Sequence, residues 1–187
     1  MSIEASYRRV TAQEFAKLKS DPKAASSFFG TNLDDLDLDN PEALLAKLQE
    51  QESSDRYLGI GGDWHALHFL LTGDGELGEH GTPPPPPLGN VVQGGTETEW
   101  DCTYGHVRSL TPDEVRAVAD ALGKISVDEL RSRFSVESFN AAKIYPHGRR
   151  ARWTVDEAES VFETYPRLVE FFQLAAKDGD MVLLSSD

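Results

Sequence analysis

The chain has 187 residues, of which 39% are hydrophobic, enough for one domain with a sizeable core, and its net charge is −14. Such an acidic surface repels phosphate backbones and anionic lipids, which argues against nucleic-acid binding and membrane binding. The single cysteine, Cys102, excludes an intrachain disulfide and a cysteine-based zinc site; with no apolar leader and no apolar run of membrane-spanning length, the composition favours a cytoplasmic protein.

The first fifty residues contain one predicted strand and two helix starts. Residues 2–10 alternate weakly between polar and apolar side chains, which predicts an N-terminal strand. The spacing of Thr11 and Glu14 predicts a capping box that opens a short amphipathic helix. Asn40 followed by Pro41 predicts the start of another helix.

The middle of the chain combines a predicted helix with a long loop. Residues 62–73 predict a helix of about three turns, capped by Asp63 and ended by Gly73. Residues 73–95 are predicted to form a Gly/Pro-rich loop, in which the five prolines at 83–87 would form a polyproline II rod of roughly 15 Å at ~3.1 Å per residue. Short strands are predicted around residues 100–104 and 106–108.

The last third of the chain repeats one helix signature. Residues 111–114 open one predicted helix, and Ser126 and Thr154 each precede a glutamate by three residues, the spacing of a capping box. Gly179 would end the last helix, and residues 181–186 would form a closing buried strand. The pattern predicts an α+β fold: a helix-rich single domain over residues 1–187, with a small mixed sheet that includes the N- and C-terminal strands and is covered by helices.

Two histidines in the segment "WHALHFLLTG" (64–73) are the first candidates for a site. Helical spacing places His68 on the apolar face with Trp64 and Leu71, and His65 toward the edge of that face. The favoured interpretation is that His68 is a buried histidine bonded to a backbone group or a hydroxyl. A ligand pocket is the main alternative, whereas a metal is disfavoured because no carboxylate completes a zinc motif.

The other polar or unusual segments favour ordinary loops. The acidic run Asp35–Asp39 resembles the start of a calcium loop but lacks the glycine and the glutamate that such a loop needs at positions six and twelve. The proline run is interpreted as a spacer, with a peptide-binding groove of another protein as the alternative. Residues 148–152, "GRRAR", are interpreted as a solvated loop, with an anion site as the alternative. No nucleophile, phosphate-loop or dinucleotide motif is present.

An ordered set of motifs resembles the YfbM-like family of uncharacterised bacterial proteins. Downstream of the histidine segment come "SLTPDEVRAVADAL", "ISVDELRSRF", "IYP" at 144–146 and Trp153. The matching positions in and before that segment are Leu58, Ile60, Trp64, Leu67, His68, Phe69, Leu71, Thr72 and Gly73.

The chain departs from the family pattern at Gly59 and Gly61, where aspartates are usual, and at His65, where the family has another polar residue. The resemblance implies a bacterial cytosolic α+β domain with no established activity. It directs attention to a candidate ligand pocket formed by four matching residues: Trp64, His68, Tyr145 and Trp153.

Two hypotheses for function follow. The first is a non-enzymatic, protein-binding role of regulatory or immunity type with a basic partner, because residues 1–100 carry 17 acidic and 7 basic side chains and no catalytic signature. The alternative is a small-molecule-binding protein or enzyme that uses the candidate pocket around His68 and Tyr145. No catalytic residue, metal ligand or cofactor is assigned, and the oligomeric state is left open. His68→Ala is expected to reduce stability, and His65→Ala to have little effect.

Overall fold

A five-stranded sheet organises the protein, as seen in a computed structural model that describes residues 3–29, 53–76, 83–146 and 152–187 and the isolated positions 42, 46 and 49. The strand order is β2-β1-β5-β4-β3, so the N- and C-terminal strands are neighbours in the middle of the sheet. The strands are β1 (Ala5–Val10), β2 (Tyr57–Gly61), β3 (Thr96–Cys102), β4 (Gly105–Leu110) and β5 (Met181–Ser186).

The predicted α+β class, with both terminal strands in one helix-covered sheet, is confirmed. The expected mixed sheet needs correction, because all four pairings between the described strands are antiparallel. The two-residue turn at Thr103 and Tyr104 forces β3 and β4 into a hairpin. β5 runs opposite to both of its neighbours, β1 and β4.

Seven α-helices lie wholly within the described part of the chain. They are α1 (Ala12–Ser20), α2 (Pro22–Phe29), α3 (Trp64–Thr72), α4 (Pro112–Leu122), α5 (Val127–Ser132), α6 (Val136–Ala141) and α7 (Glu159–Asp178). Thr11 and Thr154 form the predicted capping boxes, because each hydroxyl accepts a backbone N–H and the glutamate three residues later reaches back. Thr111 forms a further box, whereas at Ser126 only the serine hydroxyl accepts a backbone N–H, from Glu129. Gly179 ends α7 with a φ of 74°.

Both faces of the sheet are buried, so there are two cores. Helices α3, α4 and α7 pack on one face over Val182 and Leu184. The smaller core on the other face contains Leu183 and Met181 together with residues of α1 and α2. The central strand β5 therefore has four consecutive buried residues, which explains its continuous apolar sequence.

Several predictions fall outside the described residues: most of the helix after Pro41, the acidic run Asp35–Asp39 and all but the last residue of "GRRAR". Strand β2 was not predicted, because glycine is unfavourable in strands and two of its five residues are glycines, although Leu58 and Ile60 alternate as in a strand. None of the helices in the described ranges is long and apolar enough to cross a membrane.

Candidate functional site

Helix α3 carries both histidines and is buried on almost every side. Seven of its nine residues are buried, all except Phe69 and Thr72. Gly73 ends the helix with a φ of 77°, as predicted, and its N–H bonds to the Phe69 carbonyl. The predicted side-chain cap at Asp63 does not form, because this carboxylate accepts hydrogen bonds from the hydroxyls of Ser160 and Thr164 on α7.

His65 is buried, which corrects its predicted place at the edge of the apolar face; only 5% of its surface is exposed. Its Nδ1 accepts the backbone N–H of Tyr145 at 2.9 Å, and its Nε2 lies 3.1 Å from the carbonyl oxygen of Gly75. An imidazole ring that accepts at Nδ1 and donates at Nε2 is in one neutral tautomer, with its proton on Nε2. Burial also lowers the pKa of His65, which favours the same neutral form. His65 therefore joins α3 to two separate loops.

Trp64 and Tyr145 form an aromatic stack with His65 that holds the N-terminal segment. The Trp64 ring centroid lies 5.2 Å from that of His65 and 5.5 Å from that of Tyr145. The indole N–H donates to the Ile3 carbonyl at 3.1 Å, and the Tyr145 hydroxyl accepts the Ile3 N–H at 2.8 Å. Trp153 lies apart in the core, where its indole N–H donates to the Ile144 carbonyl at 2.7 Å.

His68 is the most enclosed polar residue of α3, with 1% of its surface exposed. Its Nε2 lies 3.3 Å from Oδ2 of Asp74, and its buried Nδ1 has no hydrogen-bond partner among the described residues. Burial lowers the pKa of His68 even though the Asp74 carboxylate acts in the opposite direction. The residue is therefore a neutral imidazole that donates at Nε2 and keeps an unused acceptor at Nδ1.

A cavity of about 360 Å³ lies beside His68. Its polar lining is His68, Asn90, Gln93 and Arg108, and the rest is proline and glycine. Ten described residues line it: His68, Pro83, Pro84, Pro86, Gly89, Asn90, Gln93, Gly94, Gly95 and Arg108. A volume near 360 Å³ lies at the lower end of the range for small-molecule sites.

The proline segment forms one wall of this cavity and is fixed to the core. Pro87 has φ −83° and ψ −24° and leads into a 3₁₀ turn at Leu88–Asn90, so the predicted five-residue polyproline rod is wrong at this end. The buried hydroxyl of Tyr7 on β1 donates to the Val91 carbonyl at 2.8 Å. The segment therefore contributes to the folded core and is more than a spacer.

Glycines make the close approaches in this wall possible. A Cβ at Gly89 would lie 2.0 Å from the Pro84 carbonyl oxygen, and one at Gly94 would lie 2.1 Å from Oδ1 of Asn90. Gly95 has a φ of 85°, which other residues rarely adopt. The glycines and prolines of residues 83–95 thus build a specific surface.

The polar lining has little free charge. The Arg108 guanidinium donates to the carbonyls of Gly94 and Gly95 and forms an ion pair with Glu97 at 2.8 Å. Asn90 uses its side-chain oxygen to accept the Gly95 N–H, and its NH₂ group donates to no described residue. Gln93 makes no side-chain hydrogen bond within the described ranges. No three His, Cys, Asp or Glu side chains are grouped to hold a metal ion in the described part.

The structure does not bring the four predicted pocket residues together in one pocket. Trp64 and Tyr145 are in contact, Trp153 is in the core, and only His68 is among the residues described above as lining the cavity. Sequence reasoning missed Asn90, Gln93 and Arg108. The dense glycines and prolines of residues 83–95 were the available signal, because such a composition is also typical of loops that shape binding sites.

The comparisons with known proteins agree with the resemblance found in the sequence. No curated protein matches the chain. A solved structure, described as a protein of unknown function, YfbM, from Escherichia coli, is similar with a TM-score of 0.61 and 20% identity; the match covers 98% of this chain and 99% of that one. This likeness shows the fold. The family model "Domain of unknown function (DUF1877)" matches residues 1–185, and the chain therefore belongs to this YfbM-like family.

Proposed function

We propose that this protein binds a small organic molecule in the cavity beside His68. The observation that carries the proposal is the buried imidazole, which is oriented by Asp74 and has no described partner for Nδ1. A buried acceptor without a partner costs about 1–3 kcal/mol, so its presence calls for an explanation, and a binding role supplies one. Here it belongs to a residue that lines a concave space of suitable volume.

Binding is favoured over catalysis by the composition of the cavity. His68 and Asp74 are arranged as a base and its orienting carboxylate, a pair that many enzymes use. However, the described lining contains no serine, threonine, cysteine, lysine or carboxylate that such a base would activate or assist. The geometry thus supports recognition of a ligand by a neutral imidazole and two amides.

A fragment screen by ¹H–¹⁵N NMR tests this proposal. Fragments that bind should shift the amide signals of residues 88–95, and the variant Gln93→Trp, which fills the cavity, should lose these shifts. Gln13→Trp is the matched control, because Gln13 is exposed on α1, away from the cavity. If no fragment at millimolar concentration shifts these signals, the proposal is wrong.

Binding of a basic protein is the second candidate, and one observation favours it. The edge strand β3 exposes Glu97, Glu99 and Asp101 at alternating positions. Glu97 pairs with Arg108 and Asp101 with His106, and Glu99 forms no ion pair in the described part of the chain. An acidic edge of this kind would steer a basic partner.

A capture experiment distinguishes this candidate from solubility alone. The wild type is compared with a variant carrying Glu97→Gln, Glu99→Gln and Asp101→Asn, at low and at high salt. A control with the same change in charge at Asp120, Glu163 and Glu170, which are exposed on other elements, should keep the partner. If both variants capture the partner, or if neither does, the β3 edge has no specific role in binding.

A further inference from the structure

Hydrogen-bonding groups without described partners define what the cavity can recognise. Nδ1 of His68 is an acceptor, and the NH₂ group of Asn90 is a donor. The side-chain amide of Gln93 offers one donor group and one acceptor. A molecule that bonds to both Nδ1 of His68 and the NH₂ group of Asn90 must present a donor and an acceptor of its own.

Charge in the cavity is already compensated, which disfavours an ionic ligand. The Arg108 guanidinium is engaged by Glu97 and by two backbone carbonyls. His68 is neutral because burial lowers its pKa. An anion would therefore find no free cation among the described lining residues and would lose its hydration without compensation.

The remaining lining is apolar and rigid. Pro83, Pro84 and Pro86 line the cavity, and Gly89 and Gly94 add no side chain to its wall. Ring-shaped ligands fit such a wall because their flat faces bury apolar area without losing torsional freedom.

Resting on the proposed binding function, we infer that the ligand is an uncharged molecule with a planar carboxamide edge on a ring. Its N–H donates to Nδ1 of His68, its carbonyl oxygen accepts from the NH₂ group of Asn90, and its ring contacts the prolines. Because Nδ1 is enclosed in the free protein, binding includes a small shift of the cavity wall.

Three probes with one ring and different edges test this inference: benzamide, N,N-dimethylbenzamide, which has no N–H, and benzoate, which is charged. NMR titration of the wild type should give a dissociation constant on the order of millimolar for benzamide. The other two should bind at least about fivefold more weakly, since each loses the N–H donor.

The imidazole gives a second, direct readout. On addition of benzamide, the ¹⁵N signal of His68 Nδ1 should move as expected for a nitrogen that begins to accept a hydrogen bond. His68→Phe, checked for folding by its thermal melt, should bind benzamide and N,N-dimethylbenzamide equally.

The outcomes separate this inference from the proposed function. Equal binding of benzamide and N,N-dimethylbenzamide to the wild type, or stronger binding of benzoate, overturns the carboxamide edge and leaves a cavity that binds small molecules. If none of the three probes binds and the fragment screen also gives no hit, both the inference and the proposed function fail.

Discussion

Replacing His65 by alanine should destabilise the protein strongly, although the sequence pattern alone predicts little effect. The side chain is 5% exposed and uses both ring nitrogens, one toward Tyr145 and one toward Gly75. His65→Ala removes both bonds at once. It leaves a backbone N–H and a backbone carbonyl without partners, and it opens a space beside the Trp64 ring.

The magnitude follows from these losses. Each of these half-buried backbone groups loses its partner at a cost of about 1–3 kcal/mol, and water that enters the new space recovers part of that cost. Loss of the packed ring adds a further cost of about 1–2 kcal/mol. We therefore expect a decrease of about 3–5 kcal/mol in the free energy of unfolding. For a protein of this length, each kcal/mol lowers the melting temperature by about 2–4 °C.

Urea unfolding monitored by tryptophan fluorescence measures the change. Two matched variants divide it between the bonds: the amide of His65→Asn can replace the acceptor at Nδ1, and that of His65→Gln can replace the donor at Nε2. Each of these two variants should keep part of the stability that His65→Ala loses. A loss below about 1 kcal/mol for His65→Ala would refute the bridging role of this residue and restore the assignment to the edge of the helix face.

Three further results are expected. Burial lowers the pKa of both histidines of α3, so as the pH falls the unfolded chain binds protons at these residues before the folded protein does. Their contribution to stability is therefore complete above about pH 6.5 and decreases at lower pH. Thermal melts should give a lower midpoint at pH 5 than at pH 7.5. Gly89→Ala should cost on the order of 2 kcal/mol in urea unfolding and abolish fragment binding, because its Cβ meets a proline carbonyl. Arg9→Ala should cost about 3–5 kcal/mol, because Asp180, itself buried, loses its partner at 3.0 Å; a loss below 1 kcal/mol would contradict this.

Local chemistry made most of the fold predictable. The capping residues Thr11 and Thr111 identify helix starts because their side chains bond to backbone groups only three residues away. Gly73 and Gly179 identify helix ends because the backbone there needs a positive φ. Such signals depend on short stretches of sequence, so they can be recognised without knowledge of the tertiary structure.

The candidate site was not predictable in the same way. His68 and Arg108 are 40 positions apart in the sequence but line the same cavity. Residues 83–95 are held beside them by tertiary contacts, such as the hydrogen bond from the Tyr7 hydroxyl to the Val91 carbonyl. The resemblance to a family directed attention to aromatic residues, which turned out to fix the N-terminal segment and fill the core. Sequence motifs report which residues matter to a fold, but they do not separate packing from recognition.

The misassignment of His65 has a physical cause that also explains why His68 is the residue to test. Reading an amphipathic face assumes that a helix has one side in water, but α3 is enclosed by the sheet, by α7 and by the loops that carry Tyr145 and the prolines. On such a helix every polar ring must find partners. His65 satisfies both nitrogens with backbone groups, whereas His68 satisfies one with Asp74. The difference between the two imidazoles is one acceptor without a partner among the described residues, on a side chain that lines the cavity, and this is the acceptor that the proposed ligand would use.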